Sequence, residues 1–108
     1  MTTSQIVTVG TSHHIAPLDF REQLSFSENQ LTDAFQLLRE RHHLRESVIL
    51  STCNRVEIHA VSNRGDASAV LSEFLSNYHQ IELQQLDKFT YRYHNLDAIR
   101  HLFNVSST

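Results

Sequence analysis

Two apolar runs, Glu46 to Thr52 and Arg55 to Val61, are separated only by Cys53 and Asn54. Two residues suffice to reverse a chain but not to cross a sheet, so this spacing calls for an antiparallel hairpin. The first run has an apolar centre, Val48-Ile49-Leu50. In the second, Val56, Ile58 and Ala60 alternate with Arg55, Glu57 and His59, the period of a strand with one face buried. Asparagine tolerates the left-handed backbone that tight turns often need, which makes Asn54 the expected pivot.

The rest of the chain supplies partners for this hairpin. Gln5 to Val9 is short and β-branched and reads as a strand ending at Gly10. Thr11 to Pro17 reads as a loop, and Pro17 opens a short helical turn through Leu24. Ser27 to Arg41 is the clearest helix. Ser27 and Gln30 have capping-box spacing, and Leu31, Ala34, Phe35 and Leu38 follow at helical intervals. Asp66 is placed to cap a helix through Tyr78, with Val70, Leu71, Phe74 and Leu75 on one face. Phe89 to Tyr93 reads as a strand with Phe89, Tyr91 and Tyr93 on one side. Asn95 is placed to cap a last helix whose apolar stripe is Leu96, Ile99, Leu102 and Phe103. The order β-α-β-β-α-β predicts an α+β, ferredoxin-like split βαβ fold. That is an antiparallel sheet with helices on one face, plus an additional C-terminal helix.

Composition narrows the function. The 108 residues suit one domain, and 40% hydrophobic with 19% charged residues is an ordinary globular balance. The formal charge of −3 argues against a domain that grips nucleic acid over a broad basic surface. A single cysteine builds no disulfide framework and points to a reducing compartment. The opening MTTSQIVTVG has neither a signal peptide's charge pattern nor a membrane span's length, so the expected location is the cytoplasm, with no membrane contact. Gly10 and Gly65 are the only glycines and lie far apart, so neither a Gly-x-Gly-x-x-Gly unit nor a Walker loop exists here. A nucleotide cofactor would need residues outside this chain. The last helix runs to Thr108 with no glycine to cap it, which suggests a longer protein.

Cys53 is the most informative single residue. A lone cysteine is most often a small buried hydrophobe. Here it sits where an apolar strand yields to a polar turn, with Thr52 beside it and Arg55 two residues on. Cations and local donors favour the thiolate, so the setting suits a nucleophile for acyl transfer. The eight histidines carry no metal-site spacing: His13-His14 and His42-His43 are adjacent pairs that read as surface or loop residues, and no metal is expected. His101 lies roughly opposite the apolar stripe of the last helix, at about 100° per residue. The ordinary reading is a solvated histidine; the sharper one is a proton donor or acceptor facing a site.

Three segments together resemble one family. Gly10 to Glu22 (GTSHHIAPLDFRE), Ser47 to Ile58 (SVILSTCNRVEI) and Ala98 to Ser107 (AIRHLFNVSS) are similar, in order and spacing, to the N-terminal catalytic domain of the glutamyl-tRNA reductases. The motif Ser51-Thr52-Cys53-Asn54-Arg55 is the most specific. Ile15 stands where threonine is common, His59 where tyrosine is common, and Thr108 where glycine is usual. The resemblance implies NADPH-dependent reduction of glutamyl-tRNA to glutamate-1-semialdehyde through a cysteine thioester, a step towards tetrapyrroles and haem. It implies that Cys53 is the nucleophile, that His101 assists, and that Thr52, Asn54 and Arg55 hold the glutamyl group. His13 and Arg21 are motif residues with a structural role. It further implies that NADPH is bound by a separate downstream domain, that the whole protein is a homodimer, and that the next pathway enzyme, an aminomutase, is a partner. The competing reading is a non-enzymatic sensing or protein-interaction module, in which Cys53 is buried and inert.

Overall fold

The computed structural model describes residues 4–106. The hairpin forms as its spacing demands: β2 (Glu46–Ser51) and β3 (Arg55–Ser62) pair antiparallel from Glu46↔Val61 to Ser51↔Val56. Its turn does not pivot on a left-handed Asn54. Among the described residues, the non-glycine positions with positive φ are His43, Gln80 and Asn95. Thr52 builds the turn instead. Its N–H donates to the Arg55 carbonyl (2.8 Å), and its hydroxyl accepts from the N–H groups of Asn54 (3.3 Å) and Arg55 (3.2 Å). A local hydroxyl thereby satisfies the turn amides without an unusual backbone conformation.

β1 (Gln5–Ser12) pairs with β3 on one side and with β4 (Tyr91–His94) on the other. The sheet order is β2-β3-β1-β4 and every neighbouring pair is antiparallel. β1 continues past Gly10, where the sequence had suggested its end, because Gly10, Thr11 and Ser12 pair with Glu57, Val56 and Arg55. The helices α1 (Leu18–Leu24), α2 (Glu28–Glu40) and α3 (Ser68–His79) fall where expected. The Ser27–Gln30 capping box is formed. Asp66 accepts from the Ser68 N–H (2.8 Å), although the N-cap position itself is Ala67. A short helix that the sequence reading did not find, α4 (Leu83–Phe89), takes up Phe89. Phe89, partly buried, therefore packs on Phe20 (ring centroids 5.1 Å) at the edge of the core instead of standing beside Tyr91 and Tyr93 on the last strand.

The two faces of the sheet have different chemistry. Val7, Val9, Val56, Ile58 and Ala60 meet buried side chains of α1 to α4, such as Leu24, Leu38 and Leu71, in the apolar core. The opposite face carries Thr8, Gly10, Glu57 and His59, and the last helix, α5 (Asn95–Ser106), lies across it. β3 is thus buried on both faces rather than one: Glu57 is 0% and His59 7% exposed. α5 is also rotated from its expected setting. Ala98 is 1% exposed, whereas Leu96, Leu102 and Phe103 are 58%, 42% and 69% exposed. The small Ala98 lets the helix approach closely, and the polar floor accepts His101 better than leucine. Ser107 and Thr108, on which part of the family pattern falls, lie outside the described residues. Among the described residues, no helix is long and apolar enough to cross a membrane.

One histidine sits in apolar surroundings. The half-buried ring of His79, at the end of α3, packs edge-on against Phe26 (4.5 Å) and Tyr78 (5.1 Å). Its Nε2 is sealed from solvent, with no hydrogen-bond partner among the described residues. Burial lowers its pKa to about 4. The unfolded chain then binds a proton at His79 that the folded chain refuses, so stability should be full above about pH 6.5 and decline as pH falls towards 4. His79→Phe keeps the ring and removes the titration. The difference between the two denaturant midpoints should be constant above pH 7 and shift further towards the variant between pH 6.5 and 4; parallel pH curves would exclude His79 as the cause.

Candidate active site

The β2–β3 turn presents Cys53 to solvent. This is not the placement of a core cysteine. Two other segments brace the turn from below. The His13 N–H donates to the Asn54 carbonyl (2.9 Å), and Arg21 Nη1 donates to the Cys53 carbonyl (2.5 Å). Arg21 Nε also donates to the Ala16 carbonyl (3.3 Å), so one guanidinium ties the loop before α1 to the cysteine's own peptide. Thr52, Asn54 and Arg55 share the turn with Cys53, as the motif requires. The Thr52 hydroxyl is occupied by the turn amides. The Asn54 side chain is exposed.

Behind the turn lies an ionic cluster that the sequence reading did not identify. Arg55, Glu57 and His59 stand at every second position of β3 and face α5. Glu57 is its centre. Oε2 accepts from Arg55 Nη1 (3.2 Å), from the Tyr91 hydroxyl and from His101 Nε2, while Oε1 accepts from His59 Nε2 (3.1 Å). A carboxylate has about four acceptor sites, so this one is saturated. Because a carboxylate can only accept, His59 Nε2 carries a proton, and its Nδ1 pairs with the Thr8 hydroxyl (2.8 Å). Arg55 Nη1 also donates to Tyr91 (2.9 Å), and His101 stacks on Tyr93 (ring centroids 4.5 Å).

The electrostatics follow from these bonds. Burial raises the Glu57 pKa, but hydrogen bonds from His59, Tyr91 and His101 outweigh it and bring it down to about 2. Glu57 is therefore an anion across the physiological range. Burial disfavours the Arg55 cation, and Tyr91 and Glu57 more than offset this, so its pKa is raised. Burial and the neighbouring Glu57 push the Tyr91 phenol far up, keeping it a neutral donor.

Cys53 and Arg55 thus share a rigid turn, and Glu57 joins Arg55 to His101. His101 is not the solvated residue of the ordinary reading: its side chain is 15% exposed and points into the cluster. It reaches the turn through Glu57 and Arg55 rather than by a hydrogen bond to Cys53. Among the described residues, no group of three His, Cys, Asp or Glu side chains is arranged to hold a metal ion. Nor do they form the glycine-rich strand-to-helix turn that cradles a dinucleotide, since Gly10 lies within β1 against Glu57.

The family model for glutamyl-tRNAGlu reductase, N-terminal domain, matches residues 9–108. The chain belongs to this family. It is 45% identical over 103 residues to a glutamyl-tRNA reductase of Carboxydothermus hydrogenoformans, covering 94% of the chain and 23% of that protein. It is 40% identical over 104 residues to one of Pelobacter propionicus, covering 95% and 24%. Among solved structures, the glutamyl-tRNA reductase from Methanopyrus kandleri matches with a TM-score of 0.70 and 28% identity, over 94% of this chain and 22% of that one. The chain therefore spans about a quarter of the length of the curated relatives it matches.

One sequence signal does point to Glu57. Gly10 stands inside a β-branched strand, where a glycine marks close approach by a neighbour. A Cβ there would lie 2.6 Å from Glu57 Cγ, 2.6 Å from the Val56 carbonyl oxygen and 2.9 Å from Glu57 Cα. Two of these obstacles are backbone, so Gly10→Ala should push β1 and β3 apart and displace the carboxylate. The expected loss is about 1–3 kcal/mol, the usual cost of overpacking, read as a lowered urea midpoint at neutral pH. An unchanged midpoint would show that the strands can give way there without penalty.

Proposed function

We propose that this domain carries the acyl-transfer step of a glutamyl-tRNA reductase in tetrapyrrole synthesis. The observation that supports it most is Cys53: exposed on a two-residue turn whose carbonyls are held by Arg21 and His13, next to a guanidinium anchored by a buried carboxylate. In this reading the Cys53 thiolate attacks the glutamyl ester carbon. An S–C bond forms, the ester C–O bond breaks, and the terminal ribose hydroxyl of the tRNA leaves with a proton. A thioester accepts hydride more readily than the ester it replaces. Reduction to the semialdehyde would draw on NADPH held by a domain beyond these residues, and we assign none of the described side chains to that cofactor. The non-enzymatic sensing module requires an inert, buried cysteine, and the exposure of Cys53 counts against it.

Arg55 suits recognition of the substrate's free carboxylate. Its Nη1 is engaged by Glu57 and Tyr91, which fixes the plane of the guanidinium. Among the described residues its Nε and Nη2 make no hydrogen bond, which leaves that edge for a two-bond grip on a carboxylate. Through Glu57, the same anchoring sets His101, which we assign to assistance at the reacting centre. Asn54 and Thr52 line the turn beside the thiol. We further read the order β2-β3-β1-β4, with β3 between β1 and β2, as the ferredoxin-like split βαβ arrangement.

Cys53→Ser in the full-length protein should abolish semialdehyde formation from glutamyl-tRNA, while the thermal transition stays close to that of the parent because the exchange is nearly isosteric. Turnover near the parent rate would remove Cys53 as nucleophile. Arg55→Lys keeps the charge but loses the planar fork, so no two-bond grip on a substrate carboxylate remains beside Glu57. Activity should fall about 10-fold or more, as expected from losing a charge-assisted bond of about 1.5–3 kcal/mol. Unaltered steady-state kinetics would take Arg55 out of the site.

A further inference from the structure

Two loops meet at the end of the sheet remote from Cys53. One joins α2 to β2 and contains Arg41 and Arg45; the other joins β3 to α3 and contains Arg64. Between them lies a cleft of about 690 Å³ lined by all three arginines. None of the three makes an ion pair among the described residues, and all three are exposed. The acids lining the cleft are Glu46 and Asp66, and Asp66 is already engaged by His94 (3.0 Å) and the Ser68 N–H (2.8 Å). A chain of net charge −3 therefore gathers three guanidiniums against two carboxylates at this cleft.

Helix-dipole chemistry accounts for only part of this. Arg41 ends α2, where a cation is favoured, but Arg45 precedes a strand and Arg64 comes from the other loop. The α2–β2 loop is also held in place: His43 takes a left-handed conformation (φ 58°), and the Leu44 N–H donates to the Leu38 carbonyl (2.9 Å), closing the helix end. Exposed guanidiniums that line one cleft without an ion pair among the described residues are groups that bind phosphate oxygens.

Location decides which phosphates. The cleft adjoins Ser62, while the reactive turn adjoins Arg55, at the other end of the 8-residue strand β3. At about 3.3 Å per residue the two sites are roughly 25 Å apart. That is too far for the cleft to touch a glutamyl group at Cys53, yet within reach of the nucleic acid that carries it. We propose that Arg41, Arg45 and Arg64 form a docking site for backbone phosphates of the substrate's RNA body. This rests on the acyl-transfer reading above.

The test uses the full-length protein and a triple variant, Arg41→Gln, Arg45→Gln and Arg64→Gln. The affinity for uncharged tRNA should fall about tenfold or more at low salt, and the slope of log K against log salt should shrink by about 2–3, one unit per lost phosphate contact. Thioester formation with glutamate esterified to a lone adenosine, which has no phosphate, should be unchanged. The matching triple Arg→Lys variant should recover most of the affinity and the salt slope. Unaltered tRNA affinity and slope in the Gln variant would overturn the proposal, as would loss of reaction with the adenosine ester. Titration with inorganic phosphate separates a small-anion site: loss of phosphate binding with tRNA binding intact would also overturn it. A parent protein that binds tRNA but acylates with neither substrate would overturn the acyl-transfer reading and leave the docking measurement to be judged by the affinities alone.

Discussion

A carboxylate with no solvent exposure, Glu57, sets the terms for much of this domain. Removing a charge from water is costly unless its acceptor sites are filled, and here they are filled from two strands and a helix. Gly10 makes the room, Tyr91 and Arg55 close the side nearest the turn, His59 closes the other, and α5 forms the roof. The sheet is consequently two-faced in an unusual sense. One face is held by apolar packing, the other by a charge network that packing alone could not replace without leaving Arg55 and His101 unanchored.

Local chemistry made much of the fold legible. The hairpin followed from the two-residue gap, α2 from its capping box, and the core face of β3 from its alternation. The turn that carries Cys53 was legible for the same reason, since Ser51 to Arg55 is contiguous. What escaped depended on contacts between distant segments. The alternation of β3 says which residues share a face, and nothing about whether that face meets water. α5 shows why: a stripe of leucines and phenylalanine suggested one rotation, but the surface awaiting the helix was polar, so Ala98 and His101 turned inward instead. The missed helix α4 is short and weakly patterned, and it displaced Phe89 from strand to the edge of the core. Asn54 was a sound candidate for a left-handed pivot until Thr52 supplied the hydrogen bonds by another route.

β3 also organises the molecule along its length. Its first residue, Arg55, belongs to the thiol's turn, and its last, Ser62, borders the arginine cleft. A single strand thus acts as a rigid spacer between the Cys53 end and a cationic end, and it is clamped on both faces. A spacer of this kind fixes distance far better than a loop, because bending it would break ladder bonds to β1 and β2 at once.

The position of the roof in the chain has a consequence for biogenesis. Glu57 and His101 are 44 residues apart in sequence, and α5 is the last described element to leave the ribosome. The hairpin with its thiol can form as soon as residues 46–62 emerge. Until α5 arrives, however, the carboxylate lacks one of its four donors and the polar face of the sheet stays wet. A nascent chain therefore displays the cysteine before it has the finished ionic support behind it. The ionic support behind the thiol is complete only once α5 has been made.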